Sequence, residues 1–100
     1  MAAVDSDIRV ITAKIEAWCD QVYPGRTKEQ MIEKLKEEFQ ELTDRPLDVW
    51  EMADIAIILF DLANHLGFDL PKLIHHKMEI NNRRKWEINE QGLLKHVKDT

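Results

Sequence analysis

Hydrophobic residues recur every three or four positions along most of this 100-residue chain, which is the pattern of amphipathic α-helices. In the first segment, about residues 5 to 22, the apolar stripe comprises Ile8, Ile11, Ile15, Trp18 and Val22. The second segment begins at Thr27, which is predicted to form a capping box with Gln30. Its stripe comprises Met31, Leu35, Phe39 and Leu42. Each segment is predicted to form a helix with one apolar side.

The third segment, from about Pro46 to Leu66, is apolar on nearly all sides, which predicts a central, buried helix. Gly67 follows it at the position where a helix commonly terminates. A fourth helix is predicted from about Leu70 toward Asn89. We find no alternation of the β-strand type and no Asn-Gly or Asp-Gly hairpin turn. The pattern predicts an all-α fold, a four-helix bundle-like protomer in which residues 1–100 form a single domain.

The third helix also bears on assembly. Three neighbouring helices are too few to cover a helix that is apolar all round in so small a protein. Another subunit is therefore expected to cover its remaining side, so that the protein forms a homodimer or larger oligomer through the helical core.

Composition and charge narrow the class of protein. Hydrophobic residues make up 44% of the chain and charged residues 33%, the balance of a soluble globular protein. The net charge is -5 and the only basic run is 83–85, which argues against stable nucleic-acid binding. The longest apolar run, 55–60, is too short to cross a bilayer, and the N-terminus lacks a signal-peptide pattern. We expect a cytoplasmic protein without a membrane partner.

Two consecutive helices are predicted to direct carboxylates toward the same apolar interior. On a helical wheel, Glu38 lies within the stripe of the second helix, Glu41 lies on its flank, and Glu37 points to solvent. In the third helix, Glu51 and Asp54 are three residues apart and share a face. Such acids would repel one another and be costly to bury, so a cation should neutralise them.

The chemistry of this acidic set favours a particular metal. Carboxylate oxygens suit Mg²⁺, with Mn²⁺ as a substitute, and such ions keep positions open for water and phosphate oxygens. The quartet Glu38, Glu41, Glu51 and Asp54 is therefore predicted to be a catalytic metal site. The alternative is that the glutamates of the second helix form a solvated face.

A cationic group occurs in the fourth segment. Lys77, Asn81 and Arg84 are spaced at i, i+4 and i+7, so on a continuous helix they would share one face and could hold phosphate oxygens. The alternative is a solvated basic face paired with Glu79 and Glu87, and spacing alone does not separate the two interpretations.

The segments KLKEEFQEL and EMADIAIILFDLA resemble the MazG-like nucleoside triphosphate pyrophosphohydrolases of the all-α NTP pyrophosphatase superfamily. The family signature, EExxE followed by ExxD, is matched at residues 37–41 and 51–54. Downstream, FDLPKLIHHKMEINNRRKW resembles the closing helix of the family, and the similarity spans about residues 15 to 90. Nine residues separate Glu41 from Glu51, a short connection for this family that leaves little loop to shape a base pocket.

The resemblance implies Mg²⁺-dependent hydrolysis of a nucleoside or deoxynucleoside triphosphate to the monophosphate and pyrophosphate. It implies that Glu38, Glu41, Glu51 and Asp54 are the catalytic metal ligands, and that Glu38 or Glu41 orients or deprotonates the attacking water. The implied substrate-binding residues are Lys77, Asn81 and Arg84 at the phosphates, Trp18 near the base, and also Glu37 and Asp61. The resemblance further implies a homodimer or a dimer-of-dimers tetramer. For Trp18, a core position on the first helix is an equally good interpretation.

Two alternative functions stay open at this point. One is a non-catalytic helical dimerisation or interaction module, in which the carboxylates form salt bridges between chains. Salt-bridge glutamates should flank an apolar stripe, whereas Glu38 and Asp54 are predicted to lie within one. The other is a dUTP diphosphatase-like enzyme with the same carboxylate chemistry, which differs from the first prediction in its substrate.

Overall fold

The structure, a computed structural model, describes the backbone of residues 4–98 and the side chains of residues 7–98. It contains the four predicted helices, α1 (Val4–Val22), α2 (Lys28–Asp44), α3 (Val49–His65) and α4 (Leu70–Arg83). Two short strands follow, β1 (Lys85–Ile88) and β2 (Leu94–Val97). The chain divides into two compact units, of which the first ends at Leu70 and the second begins at Pro71.

Local capping fixes where α2 and α3 begin. The Thr27 hydroxyl accepts a hydrogen bond from the Gln30 backbone N–H (3.1 Å), and the Gln30 side chain accepts one from the Thr27 N–H (2.9 Å). This confirms the predicted capping box, which satisfies two backbone donors at the start of α2. Asp48 caps α3 by accepting from the Trp50 N–H (3.0 Å). Because only residues 45–48 separate the helices, α2 and α3 are neighbours that run in opposite directions.

Gly67 ends α3 in the predicted way. Its φ of 81° lies in the left-handed region, where a residue with a Cβ atom would be strained. The Gly67 N–H donates to Asn64 O (3.1 Å) and the Phe68 N–H donates to Ala63 O (2.8 Å). These bonds satisfy carbonyls that the helix end leaves free, which is the Schellman arrangement.

In the first unit, α3 packs against both α2 and α1. Cys19 from α1, Met31 from α2 and Ala63 from α3 are buried there. Within the single chain α3 is only partly covered, since Trp50 is 74% exposed and Val49 and Met52 are also exposed. The other helices of one chain therefore do not cover all the apolar side chains of α3. That a second subunit covers this side stays a prediction. None of the helices in residues 4–98 has the length and hydropathy needed to cross a bilayer.

The second unit adds a short hairpin to the predicted helical fold. The fourth helix ends at Arg83 rather than continuing toward Asn89, and β1 pairs with β2 in an antiparallel hairpin. Lys85–Ile88 alternates polar and apolar residues, but this period-two pattern covers only four positions. The Asn89 side chain accepts from the N–H groups of Gln91 (3.0 Å) and Leu93 (2.9 Å), which shapes the turn.

Candidate active site

Three carboxylates converge where α2 faces α3. Glu38, Glu41 and Glu51 each offer one oxygen, and these oxygens lie within 4.8 Å of one another. Glu38 is 7% exposed, Glu41 is half-buried, and the Glu37 side chain is 62% exposed. The orientations predicted for these three glutamates on the helical wheel are confirmed. The short connection between α2 and α3 brings Glu51 close to the α2 pair.

Asp54 does not join this cluster. The quartet predicted from the sequence is therefore a cluster of three in the described structure, with Asp54 exposed and outside it. Asp54 follows Glu51 by three residues of α3, a rise of about 4.5 Å along the helix axis. That rise is enough to move one carboxylate out of a cluster that the other enters. Asp54 instead lines a cavity in the first unit that Glu38 also lines.

Glu38 has both a cation and other carboxylates near it. Its Oε1 lies 3.2 Å from the Lys34 ammonium, one helical turn earlier on α2. Burial acts to raise the pKa of Glu38, but hydrogen bonding with Glu51 and Lys34 outweighs burial and holds the pKa below its ordinary value. The ionised form of Glu38 is therefore favoured.

Glu51 is affected in the opposite direction. The hydrogen bond shared with Glu38, together with desolvation and the nearby Glu41, raises the pKa of Glu51 to about 7. Closely spaced carboxylates cannot all carry a negative charge without a compensating cation. In the metal-free protein, the proton on Glu51 supplies that compensation near neutral pH.

The donor set fits a divalent metal. Glu38 Oε2 and Glu51 Oε2 are shielded from solvent and receive no hydrogen bond from the described part of the chain. Buried carboxylate oxygens without a donor are costly, and a bound cation satisfies them. Three converging carboxylates are also hard oxygen ligands of the kind that Mg²⁺ and Mn²⁺ prefer.

Metal binding at this cluster should depend on pH. Because the ligand form of Glu51 is deprotonated, a metal ion must displace a proton below the pKa of about 7. We expect the Kd for Mn²⁺, measured by calorimetry, to fall about tenfold for each unit by which the pH rises toward 7. Above about pH 7 the Kd should become constant. Glu51→Gln should remove this dependence, and a Kd that is constant across this range in the unmodified protein would contradict it.

The same proton links stability to pH in the metal-free protein. Since the pKa of Glu51 rises from 4.5 to about 7 on folding, the folded chain binds more protons than the unfolded chain between these values. The contribution of Glu51 to the free energy of unfolding is therefore fully present below pH 4.5 and is lost as the pH rises to about 7. Urea unfolding of metal-free protein at several pH values measures this slope, with Glu51→Gln as the matched control.

A cavity of about 310 Å³ adjoins the cluster in the first unit. Its lining is mostly apolar and combines residues of all three helices with Tyr23. The lining residues are Trp18, Cys19, Val22, Tyr23, Met31, Lys34, Glu38, Asp54, Ile57, Ile58 and Asp61. Trp18 is 56% exposed, so in the single chain it is a cavity wall rather than a core residue. An apolar hollow beside a carboxylate cluster that could hold a metal ion is suited to the base of a nucleotide.

An ion pair at this cavity was not predicted from the sequence. The Arg26 guanidinium donates two hydrogen bonds of 2.7 Å to the carboxylate of Asp61, and both residues are buried. Arg26 also lies 2.9 Å from the exposed Asp20. Thirty-five positions separate Arg26 from Asp61, so no local pattern indicated the pair. It joins the residue before the α2 cap to the second half of α3.

The remaining predicted substrate residues belong to the second unit. Lys77 and Asn81 lie on α4, but Arg84 follows the last residue of that helix, so the predicted continuous helical face is wrong at Arg84. Asn81 Oδ1 is buried and receives no hydrogen bond from the described residues. Trp86 Nε1 donates to the Asn81 carbonyl (2.9 Å), which fastens the end of α4 to the hairpin. The roles of these residues stay predictions.

Comparison with known proteins identifies a family for this chain. The sequence profile described as dATP/dGTP pyrophosphohydrolase matches residues 11–100. A dATP/dGTP diphosphohydrolase of Salmonella phage PMBT28 is 44% identical over 86 residues, which are 85% of this chain and 30% of that protein. A protein of the same description from cyanophage S-2L is 38% identical over 89 residues, 87% of this chain and 85% of that protein. This chain therefore spans less than a third of the first relative and most of the second.

A solved structure is also similar. It is described as the cyanophage S-2L MazG-like pyrophosphohydrolase bound to dGDP and three catalytic Mn²⁺ ions per active site. It matches with a TM-score of 0.82 and 35% sequence identity, over 91% of this chain and 97% of that one. The resemblance to MazG-like pyrophosphohydrolases that the motifs indicated is confirmed, and so is the helical fold that it implied.

Proposed function

The chain belongs to the dATP/dGTP pyrophosphohydrolase family, and from that premise we propose that it hydrolyses purine deoxynucleoside triphosphates to the monophosphate and pyrophosphate. Membership confirms the sequence-based prediction of a nucleotide pyrophosphohydrolase at the level of the family. The restriction to purine deoxynucleotides extends that prediction and rests on the descriptions of the relatives. The observation that carries the proposal is the convergence of Glu38, Glu41 and Glu51 beside an apolar cavity.

In this proposal Glu38, Glu41 and Glu51 bind a divalent cation, which when bound polarises phosphate oxygens and lowers the pKa of water. Glu38 or Glu41 orients the attacking water and accepts its proton as the oxygen approaches the α-phosphorus. The bond between the α-phosphorus and the bridging oxygen breaks, and pyrophosphate leaves. Asp54 lies at the cavity wall outside the cluster of three, and its proposed role as a fourth metal ligand rests on the resemblance to MazG-like enzymes.

The substrate is bound by the remaining predicted residues. Trp18 forms part of the cavity that receives the base, and the buried Asp61 lies in the same wall. Lys77, Asn81 and Arg84 hold phosphate oxygens, and the exposed Glu37 assists at the edge of the site. These assignments rest on the resemblance to MazG-like enzymes and on the chemistry of each side chain.

Mg²⁺ is proposed as the cofactor, with Mn²⁺ as a substitute. The carboxylate donor set suits both ions, and the cyanophage S-2L structure is described with Mn²⁺. Metal-depleted protein should be inactive and should regain activity with either ion. Restoration by Ca²⁺ alone, which prefers longer bonds and more ligands, would contradict this choice.

A substrate panel tests the proposed reaction. With Mg²⁺, dATP and dGTP should each yield one monophosphate and one pyrophosphate, and they should be hydrolysed faster than dCTP, dTTP, dUTP or the ribonucleotides. Products are resolved by ion-exchange chromatography, because release of orthophosphate instead would identify a different bond. Preferential hydrolysis of dUTP would favour the dUTP diphosphatase-like alternative, and no hydrolysis of any nucleotide would favour the interaction module.

We further propose that the protein is a homodimer or a dimer of dimers. Large apolar side chains are exposed on all three helices of the first unit, including Ile11 (52%), Phe39 (63%) and Trp50 (74%). Apolar surface of this extent marks an interface more often than a solvated face. Sedimentation equilibrium that gave the mass of one chain would contradict the proposal.

Three broader predictions also remain proposals. Residues 1–100 act as one functional domain, although two compact units are distinguishable within it, and the family match at residues 11–100 includes parts of both. The protein acts in the cytoplasm, where its substrates occur. It forms no stable complex with nucleic acid, because its net charge of -5 opposes binding of a polyanion along an extended surface.

A further inference from the structure

Lys34 contacts the carboxylate cluster of the candidate site directly. Its ammonium lies 3.2 Å from Glu38 Oε1 and 3.7 Å from Glu37 Oε1, so it contacts both the buried and the exposed glutamate of the adjacent pair. Its side chain is 48% exposed, whereas that of Glu38 is 9% exposed.

The charges around the cavity make this position unusual. Among the described residues that line it, Glu38, Asp54 and Asp61 are acidic and Lys34 is the single cation. Asp61 is already paired with Arg26, whose two hydrogen bonds occupy both carboxylate oxygens. Lys34 is therefore the cation of the cavity wall that compensates the metal-ligating carboxylates.

Lys34 also lines two hollows of the first unit. It lines the cavity that adjoins the carboxylate cluster, and it lines a second, more open hollow together with Glu33 and Glu37. A lysine has a flexible four-carbon stem and three donors that can be redirected without a fixed geometry. Its head group can therefore leave Glu38 while its stem stays against α2.

We infer that Lys34 exchanges partners during the catalytic cycle: it is the counter-ion of Glu38 in the metal-free protein and contacts a phosphate oxygen of the nucleotide once the metal is bound. A divalent ion on Glu38 takes over the compensation of that carboxylate and repels the ammonium. A nucleotide triphosphate arriving at the metal brings new oxygen anions within reach of the released ammonium. The second half of this inference rests on the proposed function.

The inference predicts effects of opposite sign on two ligands. Lys34→Met removes the charge and keeps an unbranched stem, so the ion pair that competes with the metal is lost. We expect Mn²⁺, measured by calorimetry on metal-free protein, to bind Lys34→Met about tenfold more tightly than the unmodified protein. In α,β-methylene-dGTP a carbon replaces the oxygen between the α- and β-phosphates, so this linkage cannot be hydrolysed. Its Mn²⁺ complex should bind about tenfold more weakly to metal-saturated Lys34→Met than to the unmodified protein.

Two further variants control for charge and for folding. Lys36→Met removes a lysine from the same helix that pairs with the exposed Glu33 at 3.1 Å, and neither ligand should bind it differently. Lys34→Arg keeps the charge and should stay within about threefold of the unmodified protein for Mn²⁺. A structural role for Lys34 would instead weaken both ligands together in Lys34→Met.

The outcomes separate this inference from the proposed function. Tighter Mn²⁺ binding together with weaker analogue binding in Lys34→Met supports the exchange. Unchanged or weaker Mn²⁺ binding, or unchanged analogue binding, overturns it. If the unmodified protein hydrolyses no deoxynucleotide in the substrate panel, the proposed function fails, while the Mn²⁺ titration still tests the first half of the inference by itself.

Discussion

Glu38→Gln should lower kcat for the deoxynucleotide substrate by at least about 100-fold, since even residues that only support a metal ligand cost up to that much. The change keeps the shape of the side chain and removes the charge of a carboxylate whose ionised form the surroundings favour. It removes a proposed metal ligand and also one of the two candidate acceptors for the proton of the attacking water. Turnover should be measured as pyrophosphate released at saturating Mg²⁺ and substrate.

Glu33→Gln is the matched control for this variant. Glu33 lies on the same helix, its side chain is 72% exposed, and its ion pair is with the exposed Lys36. Its activity should match that of the unmodified protein, because it offers no oxygen to the cluster. Circular dichroism should show that both variants keep their helices. Equal turnover in Glu38→Gln and Glu33→Gln would show that the cluster is not the catalytic centre.

Arg26→Met should destabilise the folded protein by about 3–5 kcal/mol, the usual cost of leaving one member of a buried ion pair without its partner. Arg26 and Asp61 are 7% and 4% exposed, so the remaining carboxylate would stay in a desolvated site. Domains of this size are commonly stable by only about 5–15 kcal/mol, so the loss would be a large part of the total. Urea unfolding followed by tryptophan fluorescence measures the free energy.

Two comparisons separate the buried pair from an ordinary ion pair. Arg26→Met combined with Asp61→Leu removes both charges and should recover most of the lost stability, because apolar residues of similar volume can replace a buried pair. Arg9→Ala removes an exposed pair with Asp69 and should cost less than about 1 kcal/mol. If Arg26→Met costs no more than Arg9→Ala, the buried pair does not hold α2 to α3.

Much of the candidate site followed from local pattern. The wheel separated Glu38 from Glu37 because one residue of helix is a rotation of about 100°, which places neighbours on different faces. The capping box at Thr27 and the helix end at Gly67 could also be predicted from the sequence, since each depends on atoms only a few residues apart. The hairpin was readable in principle from the alternation in Lys85–Ile88, but its strands are only four residues long.

Other features of the site cannot be predicted from short stretches of sequence, because they depend on contacts between helices. The Arg26 and Asp61 pair joins residues 35 positions apart, and its formation depends on how α1, α2 and α3 come together. The exclusion of Asp54 from the cluster depends on the axial offset between α2 and α3, which spacing within α3 does not reveal. The raised pKa of Glu51 likewise requires Glu38 and Glu41 to approach from another helix.

The sequence by itself determined that four helices form, which glutamate of the α2 pair faces inward, and which family the chain resembles. These properties follow from the helical repeat and from short-range hydrogen bonds, so they are encoded within a few residues. Only the tertiary structure decided which carboxylates converge, which of them keeps its proton, and which cation compensates Glu38 and which compensates Asp61. Those properties depend on distances between helices and on the water that packing excludes, since both set the cost of a buried charge.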